Sequence, residues 1–283
     1  MSSTNETSGL HTIHGATSMT RFPRTLLFAL LFAGVPVHAV GLPDTGQDIC
    51  YDETGADGVA ASDAASISGD AGTHPRQDCR YGRDAAAAAG VLTKTGGGAK
   101  GFDYTKIANN GTTLGAGAAL GNAATDWACT KDNITGLTWE VKTASVTDLG
   151  YSGHTYTWYS SDGSTNGGNA GGTGGNTCNS TLPGNLCNTE AFITAVNNAV
   201  LCFHTDWRMP TRRELLTLVY ADASIPSIDL SYFPNLPPVA FWSASSYVPD
   251  ASSAWFVDFA DGYSNASDKS HSHSVRLVRG GQF

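Results

Sequence analysis

Two helical patterns of apolar residues lie in the second half of the chain. In the first, Phe192, Val196 and Val200 recur every four residues and form one apolar face. Asn188 or Thr189 can cap this helix, because each side chain offers an oxygen to the free amides of the first turn. The spacing therefore predicts a helix that begins near Thr189 and ends near Val200.

The second helical pattern starts with a capping box. Thr211 is followed three residues later by Glu214, so each side chain can accept a hydrogen bond from the backbone amide of the other. Three leucines and a valine follow over residues 215–219. This combination predicts a helix that begins directly after Thr211.

Strand patterns dominate the last part of the chain. Residues 240–247, 253–260 and 274–279 are rich in aromatic and β-branched side chains, and Asp261-Gly262 is typical of a tight turn. An earlier strand is predicted over residues 136–141. Two helices followed by antiparallel strands indicate an α+β fold with a small sheet, because a parallel α/β sheet would alternate helices and strands.

The first half of the chain has a different texture. Residues 40–124 consist mainly of alanine, glycine, aspartate and threonine and show no sustained helical or strand period. We expect a loop-rich N-terminal region there, with a short helix over residues 84–91. Large side chains return at Trp127, so a packed domain is predicted over residues 125–283. Within it, the glycine-rich residues 161–177 predict a mobile surface loop.

The N-terminus has the features of a secretory signal. Two arginines precede an apolar run over residues 26–35, and Val-His-Ala at 37–39 suits signal peptidase. We expect residues 1–39 to be a signal peptide, with Met19 as an alternative start. The apolar run is shorter than the roughly 20 residues that span a bilayer, and no later stretch is long enough. The sequence therefore predicts a secreted, periplasmic or cell-surface protein with no transmembrane segment after signal cleavage.

The six cysteines favour disulfides, because their number is even and the chain is predicted to be exported. None has the C-x-x-C spacing of redox motifs and zinc ribbons, so no metal site is expected. Among the fifteen sets of pairs that six cysteines allow, we favour one in which sequence proximity gives the first two pairs and the third pair is what remains. That set is Cys178 with Cys187, Cys50 with Cys79, and Cys129 with Cys202.

The charge of the chain argues against one class of partner. The formal net charge is -9 at pH 7. Proteins normally engage a phosphate backbone through clustered lysine and arginine. We therefore expect no nucleic acid partner.

Five ordered blocks resemble a known family. They include Gly-Leu-Thr-Trp-Glu, Asp-Trp-Arg-Met-Pro-Thr-Arg-Arg-Glu-Leu, Phe-Trp-Ser-Ala-Ser, Ala-Trp-Phe-Val-Asp-Phe and Val-Arg-Leu-Val-Arg-Gly-Gly. The blocks lie at residues 132–140, 206–215, 241–245, 254–259 and 275–281. In order and spacing they resemble the Lcl C-terminal domain family, named for the terminal domain of bacterial collagen-like adhesins.

The resemblance implies a C-type-lectin-like fold and a binding role of the adhesin type. The calcium motifs of lectins, Glu-Pro-Asn and Trp-Asn-Asp, are absent from this sequence, so calcium-dependent sugar binding is not expected. The chain also lacks collagen repeats, so the trimeric state of the founding adhesin does not carry over. Four tryptophans within the blocks are expected to pack in the core: Trp139, Trp207, Trp242 and Trp255.

A polar and aromatic cluster near the C-terminus is the predicted ligand site. Sugar recognition without calcium needs an aromatic face and flanking amides or carboxylates. The candidates are Tyr247, Asp261, Tyr263, Asn265, Asp268, His271 and His273. The alternative interpretation of these residues is a solvated outer face.

These features predict a secreted or surface-exposed protein that binds an extracellular glycan or a surface protein. The alternatives are a structural or pilus-associated subunit and a binding protein diversified by a retroelement, since residues 261–274 are rich in residues that adenine-directed mutagenesis produces. No enzyme is expected: the motifs G-x-S-x-G and H-E-x-x-H and a phosphate-binding loop are missing. Accordingly, no catalytic residue and no cofactor are predicted.

Overall fold

A computed structural model describes residues 44–47, 49–52, 55–60 and 78–281. The predicted signal peptide, residues 1–39, and the alternative start at Met19 lie outside the described residues. Between residues 49 and 60, strands β1 (Ile49–Asp52) and β2 (Gly55–Ala60) pair in an antiparallel hairpin.

Two short helices follow, α1 (Asp78–Tyr81) and α2 (Arg83–Ala88). The second confirms the short helix predicted over residues 84–91. Asp84 in its first turn is buried and accepts a hydrogen bond from the Gly101 amide at 2.8 Å. This contact joins the helix to the segment that enters the first large sheet.

The first large sheet has four antiparallel strands in the order β11-β5-β4-β3. Its members are β3 (Tyr104–Ala108), β4 (Trp127–Asp132), β5 (Thr138–Glu140) and β11 (Val278–Arg279). Strand β5 falls within the strand predicted over residues 136–141. The sheet joins the end of the chain to its middle.

Strand β3 lies inside residues 40–124, where the sequence pattern predicts a loop-rich region. Its inward-facing residues include Lys106, which is buried and extends its amine over the Trp127 ring, 3.8 Å from the ring centroid. A lysine at an inward position hides the alternation that identifies a strand. The aliphatic stem of lysine can nevertheless pack in a core when its amine meets an aromatic face.

The second sheet has three antiparallel strands in the order β7-β8-β9. Strands β7 (Ala240–Ser246) and β8 (Ser253–Asp258) confirm two predicted strands. Strand β9 (Ser264–Asp268) was not predicted, because Ser-Asn-Ala-Ser-Asp has no apolar alternation. The turn at Asp261-Gly262 connects β8 to β9, and Gly262 adopts the positive φ of 77° that such a turn requires.

Within the strand predicted over residues 274–279, only Val278–Arg279 forms a strand in the described structure. Strand β10 (Ser272–His273) pairs with β6 (Tyr156–Thr157), and β11 joins β5 in the first sheet. Between them, Ser274 bridges to Phe241 of the second sheet. The segment therefore crosses from one sheet to the other and cannot be one continuous strand.

Both predicted helices are present, although the second is short. Helix α3 (Thr189–Asn198) is capped by Asn188, whose side chain accepts from the Ala191 amide at 2.9 Å. Helix α4 (Arg212–Leu216) begins with the predicted capping box at Thr211. Few helices and several antiparallel sheets make the fold α+β, as predicted.

Two predicted disulfides are confirmed: Cys129 with Cys202, and Cys178 with Cys187. Cys79 is also disulfide-bonded and fully buried. Its predicted partner, the side chain of Cys50, lies outside the described side chains. Disulfides fit an extracellular protein, because thiols stay reduced in the cytosol.

Two buried clusters form the core, one on each side of the second sheet. Trp207 and Trp242 belong to the first cluster and Trp139 to the second, which confirms the core role predicted for these three. Trp255 was also predicted in the core, but it is only partly buried. Trp255 is instead part of the candidate site described below.

Within the described part of the chain, no helix combines the length and apolar character needed to cross a bilayer.

Candidate functional site

An open groove lies where helix α4 crosses strands β7 and β8. It has a volume of about 560 Å³. Residues from the helix start, the end of β7 and the middle of β8 line it: Thr211, Arg212, Arg213, Leu216, Ser245, Ser246 and Trp255. We call it the Arg212–Trp255 groove.

Arg212 is held in place at the centre of this groove. Its guanidinium carbon lies 3.9 Å from the centroid of the Trp255 ring, which is the geometry of a cation–π contact. Its Nε donates to Ser264 Oγ at 3.0 Å, and its backbone amide donates to Ser245 Oγ at 3.1 Å. The two terminal nitrogens make no hydrogen bond to any other described residue, so their donors are available to a ligand.

Tyr247 packs beside the same tryptophan. Its ring meets the Trp255 ring edge-on, with centroids 5.2 Å apart. The two rings and the guanidinium therefore form one aromatic and cationic surface at the end of β7. Contacts of this kind suit the C–H face of a sugar ring or a planar polar group.

The rim of the groove at Ser246 is joined to the glycine-rich loop. Ser246 Oγ donates to the Thr165 carbonyl at 3.2 Å. A Cβ at Gly167 would lie 2.8 Å from the Ser246 Cβ, and Gly167 has a φ of 66°. Only glycine fits this approach of the loop to the groove.

The buried side chain of Lys269 holds that loop in place through hydrogen bonds. Its side chain is 1% exposed, and its Nζ donates to the carbonyls of Asn166, Asn169 and Ala251 at 2.8, 2.7 and 2.8 Å. The ammonium also lies 4.2 Å from the Trp158 ring centroid. Burial lowers the pKa of Lys269 from its usual value. Sequence reasoning missed this residue, because it stands in a polar run that is typical of a surface.

The predicted site residues are spread over the second sheet. Tyr247 lies at the Arg212–Trp255 groove, as described. Asp261 and Tyr263 are exposed in the turn between β8 and β9, and the Tyr263 side chain is 57% exposed. Asp268 lies at the opposite end of β9, where its carboxylate accepts from the Ser270 amide at 2.8 Å.

The remaining predicted residues lie on the other face of the sheet. Asn265 on β9 pairs with Phe256 on β8. Successive residues of a strand point to opposite faces, so Asn265 and Phe256 face away from the side on which Trp255 lies. His271 is exposed, and its Nδ1 lies 2.9 Å from Ser267 Oγ. The structure therefore places Tyr247 against Trp255 beside the groove, and Asn265 on the opposite face of the sheet.

His273 is packed inside that other face. Its ring lies 4.5 Å from the Trp242 ring and 5.2 Å from the Phe256 ring, between centroids. Burial, with a smaller contribution from His271, lowers the pKa of His273 to about 4. The imidazole is thus neutral at physiological pH. In the described residues, no group of three or more histidine, cysteine, aspartate or glutamate side chains is placed to hold a metal ion.

A disulfide-linked α+β domain with an open, cation-bearing groove is the class of protein that these observations define. Comparison with family models identifies it further. The chain belongs to the Lcl C-terminal domain family, whose model matches residues 128–279. The matched range contains every residue that lines the groove. Strand β3 lies before the matched range and is the fourth strand of the first sheet. Membership fits a surface or adhesin-like protein.

Comparison with curated proteins gives no match, and neither does comparison with solved structures.

Proposed function

We propose that this chain is an extracellular binding protein of the adhesin type, with a C-type-lectin-like fold. The ligand is a glycan or another cell-surface molecule, and it binds in the Arg212–Trp255 groove. The family match and the confirmed disulfides support this proposal at the level of the class of protein.

One observation carries the choice of site. The Arg212 guanidinium lies over the ring of a partly exposed tryptophan, is fixed through Nε, and keeps its terminal nitrogens free of other described residues. A side chain held in one conformation loses little entropy when a ligand binds. The hydroxyls of Ser245, Ser246 and Thr211 add donors and acceptors around it. Sugar hydroxyls require such groups beside an aromatic surface.

The chemistry of the groove favours binding over catalysis. The residues that line it include no histidine, cysteine or carboxylate. The serine and threonine hydroxyls of the groove would need an adjacent base to act as nucleophiles, and the lining residues supply none. We therefore propose a binding protein that is not an enzyme.

A glycan array probed with purified protein tests the proposal. Arg212→Gln removes the charge and the stacking fork while it keeps a side chain of similar length. Lys131→Gln is the matched control, because Lys131 is an exposed cation on β4 and does not line the groove. We expect the array signal to fall for Arg212→Gln and to persist for Lys131→Gln.

Light scattering on the same samples separates the structural or pilus-associated alternative. An array without signal, together with ordered self-association of the wild-type protein, would support the structural subunit and contradict the binding proposal. A signal that both variants retain equally would place the ligand elsewhere on the surface.

A further inference from the structure

A second cavity lies between strands β4 and β5 and the end of helix α3. Its volume is about 340 Å³, which is at the lower end of small-molecule sites. Seven of its lining residues are apolar: Leu120, Ala128, Val141, Leu149, Val196, Ala199 and Leu201. We call it the Val141 cavity.

A buried carboxylate forms part of the same wall. Glu140 is 2% exposed, its Oε1 accepts from Lys142 Nζ at 2.7 Å, and its Oε2 accepts from the Leu277 amide at 3.0 Å. A carboxylate offers about four lone-pair sites, so these two bonds leave acceptor capacity. Glu140 is therefore a buried charged group in the cavity wall, beside the polar lining residues Asn109, Asn122, Thr143, Thr147 and Asp148.

Gly150 leaves that carboxylate open to the cavity. Gly150 lines the cavity, and a Cβ at this position would stand 3.1 Å from Glu140 Oε1. Any larger residue would cover the oxygen. The absence of a side chain here keeps Oε1 within reach of a ligand donor.

The charges around Glu140 decide the charge of the ligand. Lys142 is ion-paired with Glu140, and the buried Arg276 interacts electrostatically with both. Asp148 also lines the cavity, so two carboxylates and two cations lie around it and their formal charges sum to zero. A cation would be repelled by Lys142 and Arg276, and an anion by Glu140 and Asp148. A neutral ligand avoids both repulsions.

We propose that the Val141 cavity binds a small neutral molecule with an apolar body and one hydroxyl or amide donor. The donor bonds to Glu140 Oε1, and the body contacts Val141, Leu149 and Val196. This site is separate from the Arg212–Trp255 groove, and its ligand differs in chemistry, so either site can fail without the other.

Titration of the isotope-labelled protein with 1-hexanol, followed by NMR, tests the proposal. We expect saturable shifts at the residues of the cavity wall. Methyl pentyl ether has the same atoms but no donor, and it should bind at least about tenfold more weakly, because the hydrogen bond to a charged carboxylate is lost. Hexylamine and hexanoate should also bind more weakly than hexanol.

Gly150→Ala tests the role of the open carboxylate. Gly150 does not have a positive φ, so alanine is tolerated by the backbone. We expect hexanol to bind this variant about as weakly as the ether binds the wild type, since the methyl group covers Oε1. Gly175→Ala is the control, because a Cβ there meets nothing within 4 Å. Equal affinities for hexanol and the ether, unchanged hexanol binding by Gly150→Ala, or no saturable shifts would overturn the proposal.

Discussion

Arg208 and Glu214 form a two-point ion pair that fixes helix α4 to the end of the chain. The Arg208 terminal nitrogens donate to the two Glu214 carboxylate oxygens at 2.8 and 2.6 Å. One of the same nitrogens donates to the Gly280 carbonyl at 3.1 Å. Glu214 also closes the capping box by accepting from the Thr211 amide at 2.7 Å. One side chain therefore sets both the start of the helix and its position at the groove.

Replacement of this glutamate should weaken the fold. We expect Glu214→Gln to lower the free energy of unfolding by about 2 kcal/mol, because the charged bonds to Arg208 are lost. Urea denaturation at pH 7 measures this change. Arg213→Gln is a suitable control, since Arg213 is exposed on the same helix. Equal stability of Glu214→Gln and the wild type would show that the ion pair contributes nothing.

The same pair predicts a dependence on pH. Burial opposes ionisation of Glu214, but the bonds from Arg208 and Thr211 outweigh it and lower the pKa of Glu214. A carboxyl with a lowered folded pKa contributes stability above its unfolded pKa, and this contribution is lost as pH falls through the folded value. The stability difference between wild type and Glu214→Gln should thus shrink in acid. Unfolding curves recorded from pH 7 down to pH 3 measure this difference, and a difference that stays constant or grows in acid would contradict the prediction.

His273 predicts a second effect of acid. Its pKa is lowered to about 4, chiefly by burial. The unfolded chain takes up the proton near pH 6.5, so His273 reduces stability progressively between that pH and about 4. NMR titration of the imidazole resonances should give a midpoint near the lower value. A midpoint near the value of a free histidine would contradict the packing between Trp242 and Phe256.

Loss of Lys269 should release the glycine-rich loop. Lys269→Met removes three bonds to backbone carbonyls and leaves those carbonyls without their donor. We expect faster hydrogen exchange at the amides of Gly168 and Gly171, whose turns depend on Asn166 and Asn169. Lys131→Met provides the exposed control. Unchanged exchange would mean that the loop is ordered by its own turns alone.

Local signals explain which parts of the fold the sequence predicts. The caps at Asn188 and Thr211 depend on residues three positions away, and both helices begin where the pattern places them. The Asp261-Gly262 turn is equally local. By contrast, β9 is held by its pairing with β8, which no pattern in Ser-Asn-Ala-Ser-Asp reveals.

The candidate site was harder to predict because its residues depend on distant neighbours. Trp255 stands in an apolar block that indicates a core position. In the structure its ring instead contacts the Arg212 guanidinium of α4 and lines the groove. Lys269 differs from its sequence pattern in the opposite way. It stands in a polar run that indicates an exposed position, yet its ammonium is buried. Only Tyr247 was both predicted and found beside the groove. The sequence signal that could have identified Arg212 is its position directly after the capping residue Thr211, which places a cation at the start of a helix.

The most direct test of the account maps where a ligand binds. The isotope-labelled protein would be titrated with the glycan that gives the strongest array signal, and amide and indole resonances would be followed by NMR. We expect the largest shifts at Arg212, Ser245, Ser246 and the Trp255 indole, and the loss of these shifts in Arg212→Gln. Shifts that cluster on the face of Asn265 and His271, with the groove unaffected, would contradict it.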